Sequence, residues 1–281
     1  LEVYIDKQWV AKRFNRAAFT YDEHAVIQRR MAYQLLWQLR NSAWCGQHIL
    51  EIGCGTGYLT QLLLDYYPEV KITAVDLADN MVQLAREKVS PLSRVQFIVE
   101  DAEEMEWKEN SFDLIISNAT IHWFQSPLKA IRKWRKALTT QGALLLSTYG
   151  PDTLQELADL FRKVENDMGV VPGVHILPFY PSDIWEGFFR QGGYADVDSK
   201  EKWLRQLYPS CRDFLYTIKA TGESFSDMRR NIITSSHILQ EVMDKYSLAF
   251  RWKKKVYATY HMIFISGRKT GNPMPKNQEM Y

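Results

Sequence analysis

Cysteine is scarce: Cys45, Cys54 and Cys211 are the only three, they form no CxxC pair, and an odd number cannot all be paired. That excludes a disulfide framework and a cysteine-based zinc site, and it fits a reducing compartment. No apolar run is long enough to span a bilayer and no charged-then-apolar leader is present, so a cytoplasmic protein with no membrane partner is expected. Charge of one sign is also missing. A net charge of +2 over 281 residues gives no bulk attraction to nucleic acid or to an anionic surface, which leaves only local basic clusters to consider. Internal repeats and low-complexity tracts are absent as well. What remains, 46% hydrophobic and 24% charged, is enough for one large domain or one domain with an insertion.

The chain is organised around residues 48–57, His-Ile-Leu-Glu-Ile-Gly-Cys-Gly-Thr-Gly. Ile49, Leu50 and Ile52 read as a buried strand, and Gly53, Gly55 and Gly57 let the backbone turn tightly and approach a ligand. Asp76 ends the next apolar run about 20 residues further on, where a doubly wound fold sets a carboxylate against ribose hydroxyls. One more absence decides which nucleoside is meant. A dinucleotide fingerprint wants its third glycine at position 58, and position 58 is Tyr58. The pattern Glu51-x-Gly53-x-Gly55-x-Gly57 instead resembles motif I of the class I S-adenosylmethionine-dependent methyltransferases. That resemblance implies S-adenosyl-L-methionine as cofactor, S-adenosyl-L-homocysteine as product and no metal, with Glu51, Gly53, Cys54, Gly55, Gly57, Asp76 and Leu77 in the cofactor site.

Strand and helix alternate from residue 48: 48–52, 58–66, 71–75, 79–88, 95–99, 113–117, 127–138 and 143–148. Repeated βα units of this length give a parallel sheet covered on both faces, with ligands beyond the carboxyl ends of the strands. A helix over Thr153–Met168, a Gly/Pro-rich connector at 169–181, a helix capped by Ser182-Asp183, an edge strand at 195–207, helix over 210–255 and a last strand at Tyr257–Ser266 follow. The expected fold is α/β, a Rossmann-like, seven-stranded, mostly parallel, doubly wound sheet with an N-terminal helical lid and a helical insertion before the last strand. Its parts are a lid at 1–45, a cofactor-binding core at 46–150, a C-terminal part at 151–268 that carries the insertion, and a disordered tail at 269–281. Within the lid, periodicity predicts two helices separated at Phe19-Thr20-Tyr21-Asp22, with Asp22 as a cap.

Asp101-Ala102, after the third strand, stands where methyltransferases accept from the adenine amino group. It also lies among Glu100, Glu103, Glu104 and Glu106, so a solvated acidic loop is the alternative. Met81 serves either as a wall of the adenine pocket or as core packing. The loop Ser117-Asn118-Ala119-Thr120-Ile121-His122-Trp123 lacks the Asn/Asp-Pro-Pro-aromatic motif of amine and nucleobase methylases. That disfavours nucleic acid and favours a nucleophile already ionised at neutral pH, such as a carboxylate. Asn118 is assigned to the cofactor; His122 and Trp123 are candidates at the methyl group, and so is Tyr21 from the lid. For His122 a structural hydrogen-bonding role stands beside the catalytic one.

End to end, residues 3–268 resemble the malonyl-acyl-carrier-protein O-methyltransferases of bacterial biotin synthesis. The likeness rests on Lys7-Gln8, Phe14-Asn15-Arg16-Ala17-Ala18 with Tyr21, Gly53-Cys54-Gly55, Ser117-Asn118 with Trp123, Leu177-Pro178, Ile218-Lys219-Ala220-Thr221-Gly222 and Thr259-Tyr260-His261. It implies methylation of the free carboxylate of a malonyl thioester, with malonyl-acyl carrier protein or malonyl-coenzyme A as the partner. Arg229, Arg230, Lys253, Lys254 and Lys255 are the basic groups available to an acidic carrier. A carboxylate methyltransferase of the trans-aconitate type shares the fold and the 117–123 loop, and the size of the insertion is what favours the carrier-bound acid.

Overall fold

Alternating apolar positions along the central strands place Ile49, Leu114 and Ile116 on one face of the sheet and Leu50, Ile52 and Ile115 on the other. A sheet buried on both faces needs helices on both, and burying each Leu or Ile side chain stabilises by about 1.5–3 kcal/mol. The computed structural model describes residues 4–42, 44–224 and 232–270.

The elements, in chain order, are α1 (Lys7–His24), α2 (Val26–Asn41), β1 (His48–Ile52), α3 (Tyr58–Tyr66), β2 (Lys71–Asp76), α4 (Asp79–Lys88), β3 (Val95–Val99), β4 (Phe112–Asn118), α5 (Pro127–Ala137) and β5 (Leu138–Tyr149). There follow α6 (Gln155–Asp167), α7 (Ser182–Gln191), β6 (Ala195–Tyr208), α8 (Cys211–Ala220), α9 (Ile232–Ala249), β7 (Arg251–Trp252) and β8 (Lys255–Arg268). The strand order is β3-β2-β1-β4-β5-β8-β6, with β1 to β5 parallel and β8 antiparallel between β5 and β6. The seven expected strands are present, and the two-residue β7 adds an eighth by pairing with β8. β6 is an edge strand, as its charged alternation predicts. Helices α2, α3, α6, α8 and α9 contribute to the core on one face, α5 and α7 to that on the other.

Four expectations are corrected. Helix α1 runs unbroken through Phe19–Asp22 and ends before Ala25. Thr20 Oγ1 donates to Ala17 O in its own helix and to Ala220 O of α8, and the Asp22 carboxylate accepts from Thr56 Oγ1 and pairs with Lys88, so it is committed to tertiary partners rather than to a cap. Phe19, at the expected break, is 77% exposed. Ser182 caps nothing: its hydroxyl donates to Glu201 Oε1 at 2.5 Å. The expected helix over 210–255 is two helices followed by the β7–β8 hairpin, in whose turn Lys253 takes φ +56°. Most of the expected disordered tail, 271–281, lies outside the described residues.

Candidate active site

Beyond the carboxyl ends of β1 to β4 lies a narrow crevice, and Gly53, Gly55, Asp76, Leu77, Met81, Asp101, Ala102, Asn118, Tyr21 and Trp123 all line it. Two glycines are there for stated reasons. At Gly53 (φ +71°) a Cβ would come within 2.1 Å of Thr120 Oγ1, so the chain can pass only without one. At Gly55 (φ +53°) nothing lies within 4 Å of that position, and the backbone turn alone requires glycine. Gly55 N donates to Asp76 Oδ2 at 2.8 Å and Ala78 N to Oδ1 at 2.9 Å, so the carboxylate is held rigidly at the end of β2. Burial pushes the Asp76 carboxyl above its ordinary range, against the downward pull of the Ala78, Gly55 and Leu77 backbone N–H groups.

Three of the residues assigned to the cofactor are not brought to the crevice wall. Glu51 points to the opposite face of β1, where it is buried and accepts from Thr60 Oγ1 at 2.6 Å; burial raises it to about 8. Cys54 is buried behind the loop, and burial raises its thiol well above the ordinary value. Gly57 (φ +84°) sits ahead of α3 with Val89 and Ala85 against it, so its smallness serves helix packing. Asn118 lines the crevice while its side chain donates to Gln28 O (3.0 Å) and accepts from Ser147 Oγ (2.7 Å).

Of the far wall, sequence reasoning assigned only Tyr21 to the site. Helix α1 lies along the crevice, and Lys7, Val10 and Phe14 join Tyr21 in lining it. Lys7 Nζ reaches Glu103 Oε2 at 2.6 Å and Asp101 Oδ1 at 3.4 Å, and Asn15 Oδ1 accepts from Asn80 N at 3.0 Å. Glu103 is no solvated residue of an acidic loop: it is 2% exposed and also accepts from Gln125 N and Ser126 N, ahead of α5. Burial raises the Tyr21 phenol, and Glu223, Asp76 and Asp22 push it the same way.

Trp123 lines a second cavity as well, a chamber of about 290 Å³. Its walls are the end of β5 (Tyr149), Leu154 ahead of α6, α6 itself (Leu157, Phe161), the connector (His175, Leu177, Phe179), α8, α9 and Tyr260 of β8. His122 faces this chamber rather than the crevice; Thr148 Oγ1 lies 3.3 Å from its Nδ1, and burial lowers the imidazole to about 3, so it is neutral at physiological pH. The signatures noted in the later part of the sequence frame the same space. Gly222 (φ +75°) brings the end of α8 against Phe14 of α1, where a Cβ would sit 3.1 Å from the ring. Tyr260 bonds Tyr208 through their hydroxyls at 2.8 Å.

Lys253, Lys254 and Lys255 are exposed on the β7–β8 hairpin, while Arg229 and Arg230 lie outside the described residues. No helix among the described residues is long and apolar enough to cross a membrane.

Residues 50–146 match the methyltransferase domain family. The chain is 35% identical, over 92% of its length and 98% of the relative's, to the malonyl-[acyl-carrier protein] O-methyltransferase of Paenibacillus sp. (strain JDR-2). It is 36% identical to the enzyme of the same name from Anoxybacillus flavithermus, over 94% of this chain and 98% of that one. Among solved structures, Haemonchus contortus phosphoethanolamine N-methyltransferase 2 in complex with S-adenosyl-L-methionine superposes with a TM-score of 0.55 at 20% identity, covering 85% of this chain and 53% of that one.

Proposed function

Because the chain belongs to the malonyl-acyl-carrier-protein O-methyltransferase family, we infer that it methylates the free carboxylate of a malonyl thioester to the methyl ester, with S-adenosyl-L-methionine as donor. When bound, that cofactor supplies an electrophilic methyl group on a sulfonium centre. A carboxylate oxygen forms the new bond to this carbon while the carbon–sulfur electron pair goes to sulfur. No proton is transferred, and the products are the neutral ester and S-adenosyl-L-homocysteine.

One observation carries this reading: the crevice and the apolar chamber meet at Trp123, and the chamber offers no free general base among the described residues. Burial leaves His122 a weak base near 3, His175 Nε2 lies 2.6 Å from Glu165 Oε1, and Glu223 already accepts from Gln28 Nε2 (2.6 Å) and Tyr149 OH (3.0 Å). A nucleophile that needs no deprotonation is the one suited to such a space. The chain's task is then to hold, orient and dry the reacting groups.

The residues fit the cofactor. Asp76, its oxygens oriented by two backbone N–H groups, would hold the ribose; Asp101 and Ala102 would take the adenine edge, with Met81 as a wall; Gly53 and Gly55 would allow close backbone approach. Tyr21 and the rest of α1 form the lid, latched by Lys7, Asn15 and Asp22. Lys253 to Lys255, with Arg229 and Arg230, supply positive charge for an acidic carrier. The experiment is methyl transfer from labelled cofactor to malonyl-acyl carrier protein, followed by mild alkali. Label released as methanol identifies a carboxyl ester; label retained on the protein contradicts it.

A further inference from the structure

Arginine 13, on α1, is the one Lys or Arg side chain that lines the chamber among the described residues. Its Nη1 is buried without a hydrogen-bond partner, and no described carboxylate lies within ion-pairing distance of the guanidinium. The group is held instead by stacking: its central carbon sits 3.6 Å from the centre of the Trp9 ring. A guanidinium half-withdrawn from water with no counter-ion is costly, and burial lowers it only to about 10, so it stays charged at neutral pH. A second orphan lines the same chamber. Trp123 is 6% exposed and its Nε1 donor is likewise buried and unpartnered.

Two unsatisfied donors, one of them cationic, line a chamber whose other walls are mostly aromatic and aliphatic, with Thr153, His175, Glu223 and Ser224 among them, and the donor-bearing Trp123 also borders the crevice. Resting on the reading above, we propose that Arg13 is the anchor for the substrate's free carboxylate, with Trp123 Nε1 as the second donor, and that the pair selects the ionised acid over its neutral ester.

The chemistry follows from charge. Arg13 and Trp123 occupy lone pairs of the carboxylate and leave another turned toward the methyl donor, so the anchor fixes which oxygen reacts. Methylation abolishes the negative charge. The neutral ester then forfeits the charge-assisted bond that held its precursor, and the product is released without a change in the protein. Stacking on Trp9 keeps the guanidinium plane fixed, which a flexible lysine ammonium would not reproduce.

The test compares binding of malonyl-pantetheine with that of its half-amide, malonamoyl-pantetheine, which has the same shape and no charge. Both are measured on the full chain with S-adenosyl-L-homocysteine present, for the parent protein, Arg13→Gln and Arg13→Lys. The parent protein should prefer the acid by roughly 10- to 100-fold, the range for a charge-assisted bond. Arg13→Gln should shrink that preference to about threefold or less while leaving affinity for S-adenosyl-L-homocysteine unchanged, and Arg13→Lys should restore only part of it. A full preference retained in Arg13→Gln would overturn the anchor, and equal weakening of both ligands would make Arg13 a packing residue. Pantetheine carries no phosphate, so a loss seen with malonyl-phosphopantetheine alone would move Arg13 to the phosphate and also overturn it. A parent protein that methylates no malonyl thioester would overturn the functional reading, and the anchor with it.

Discussion

Tyr149 donates its phenolic O–H to Glu223 Oε1 across 3.0 Å, onto the same oxygen that receives Gln28 Nε2 at 2.6 Å. The pair ties the end of β5 to the segment after α8 and to α2. Burial raises Glu223 to about 7 even though both hydrogen bonds favour its ionised form.

Stability should therefore depend on pH through this group. Its folded pKa lies above the ordinary carboxylate value of 4.5, so its contribution is fully present below about 4.5 and is lost as pH rises through about 7. Glu223→Gln keeps an oxygen to accept both bonds and removes the titration. Between pH 5 and pH 8 the parent protein should lose about 2 kcal/mol more than this variant in urea denaturation. Parallel pH profiles would show that Glu223 does not titrate in this window.

Asp76→Ala should weaken S-adenosyl-L-methionine binding by about 1.5–3 kcal/mol if, as proposed, this carboxylate bonds the ribose. Calorimetry reads this directly, and an unchanged dissociation constant would remove Asp76 from the cofactor site.

Gly53→Ala and Gly55→Ala should part company in stability. Both demand a positive φ, a strain of about 1–2 kcal/mol for alanine. Only Gly53 also meets Thr120, at 2.1 Å. Denaturation should show Gly53→Ala to be the more destabilised of the two, and pairing it with Thr120→Gly should recover part of the difference. Equal losses would mean that the strand-end contact yields easily.

These particulars mark what was legible in the sequence. The glycines, Asp76 and the apolar runs gave the crevice and the strands beneath it, because turn geometry and alternation are local properties. Tertiary partners were not legible. Asp22 reads as a cap until Thr56 and Lys88 are seen on it, and Glu103 reads as one more acid in a polar loop until Lys7 and two backbone N–H groups are seen around it. Glu51 and Gly57 belong to the motif by spacing, yet strand alternation turns Glu51 toward Thr60 and helix packing claims Gly57. Arg13 could not be told from the other arginines, since its distinction is the lack of a partner in space.

The latch between α1 and the core should govern how long the cofactor stays. Lys7→Met leaves the Glu103 carboxylate without its ion pair at 2.6 Å and loosens the lid over the crevice. Release of S-adenosyl-L-homocysteine, followed by stopped flow, should quicken by about tenfold, the equivalent of roughly 1.4 kcal/mol. An unaltered release rate would show that α1 does not gate the crevice.

The most direct measurement is a comparison of kcat/KM for malonyl-acyl carrier protein, malonyl-coenzyme A, free malonate and trans-aconitate with the same protein and labelled S-adenosyl-L-methionine. The two malonyl thioesters should be methylated on their free carboxylates, and both should far outrun the two free acids. Faster methylation of trans-aconitate than of either thioester would contradict the malonyl assignment.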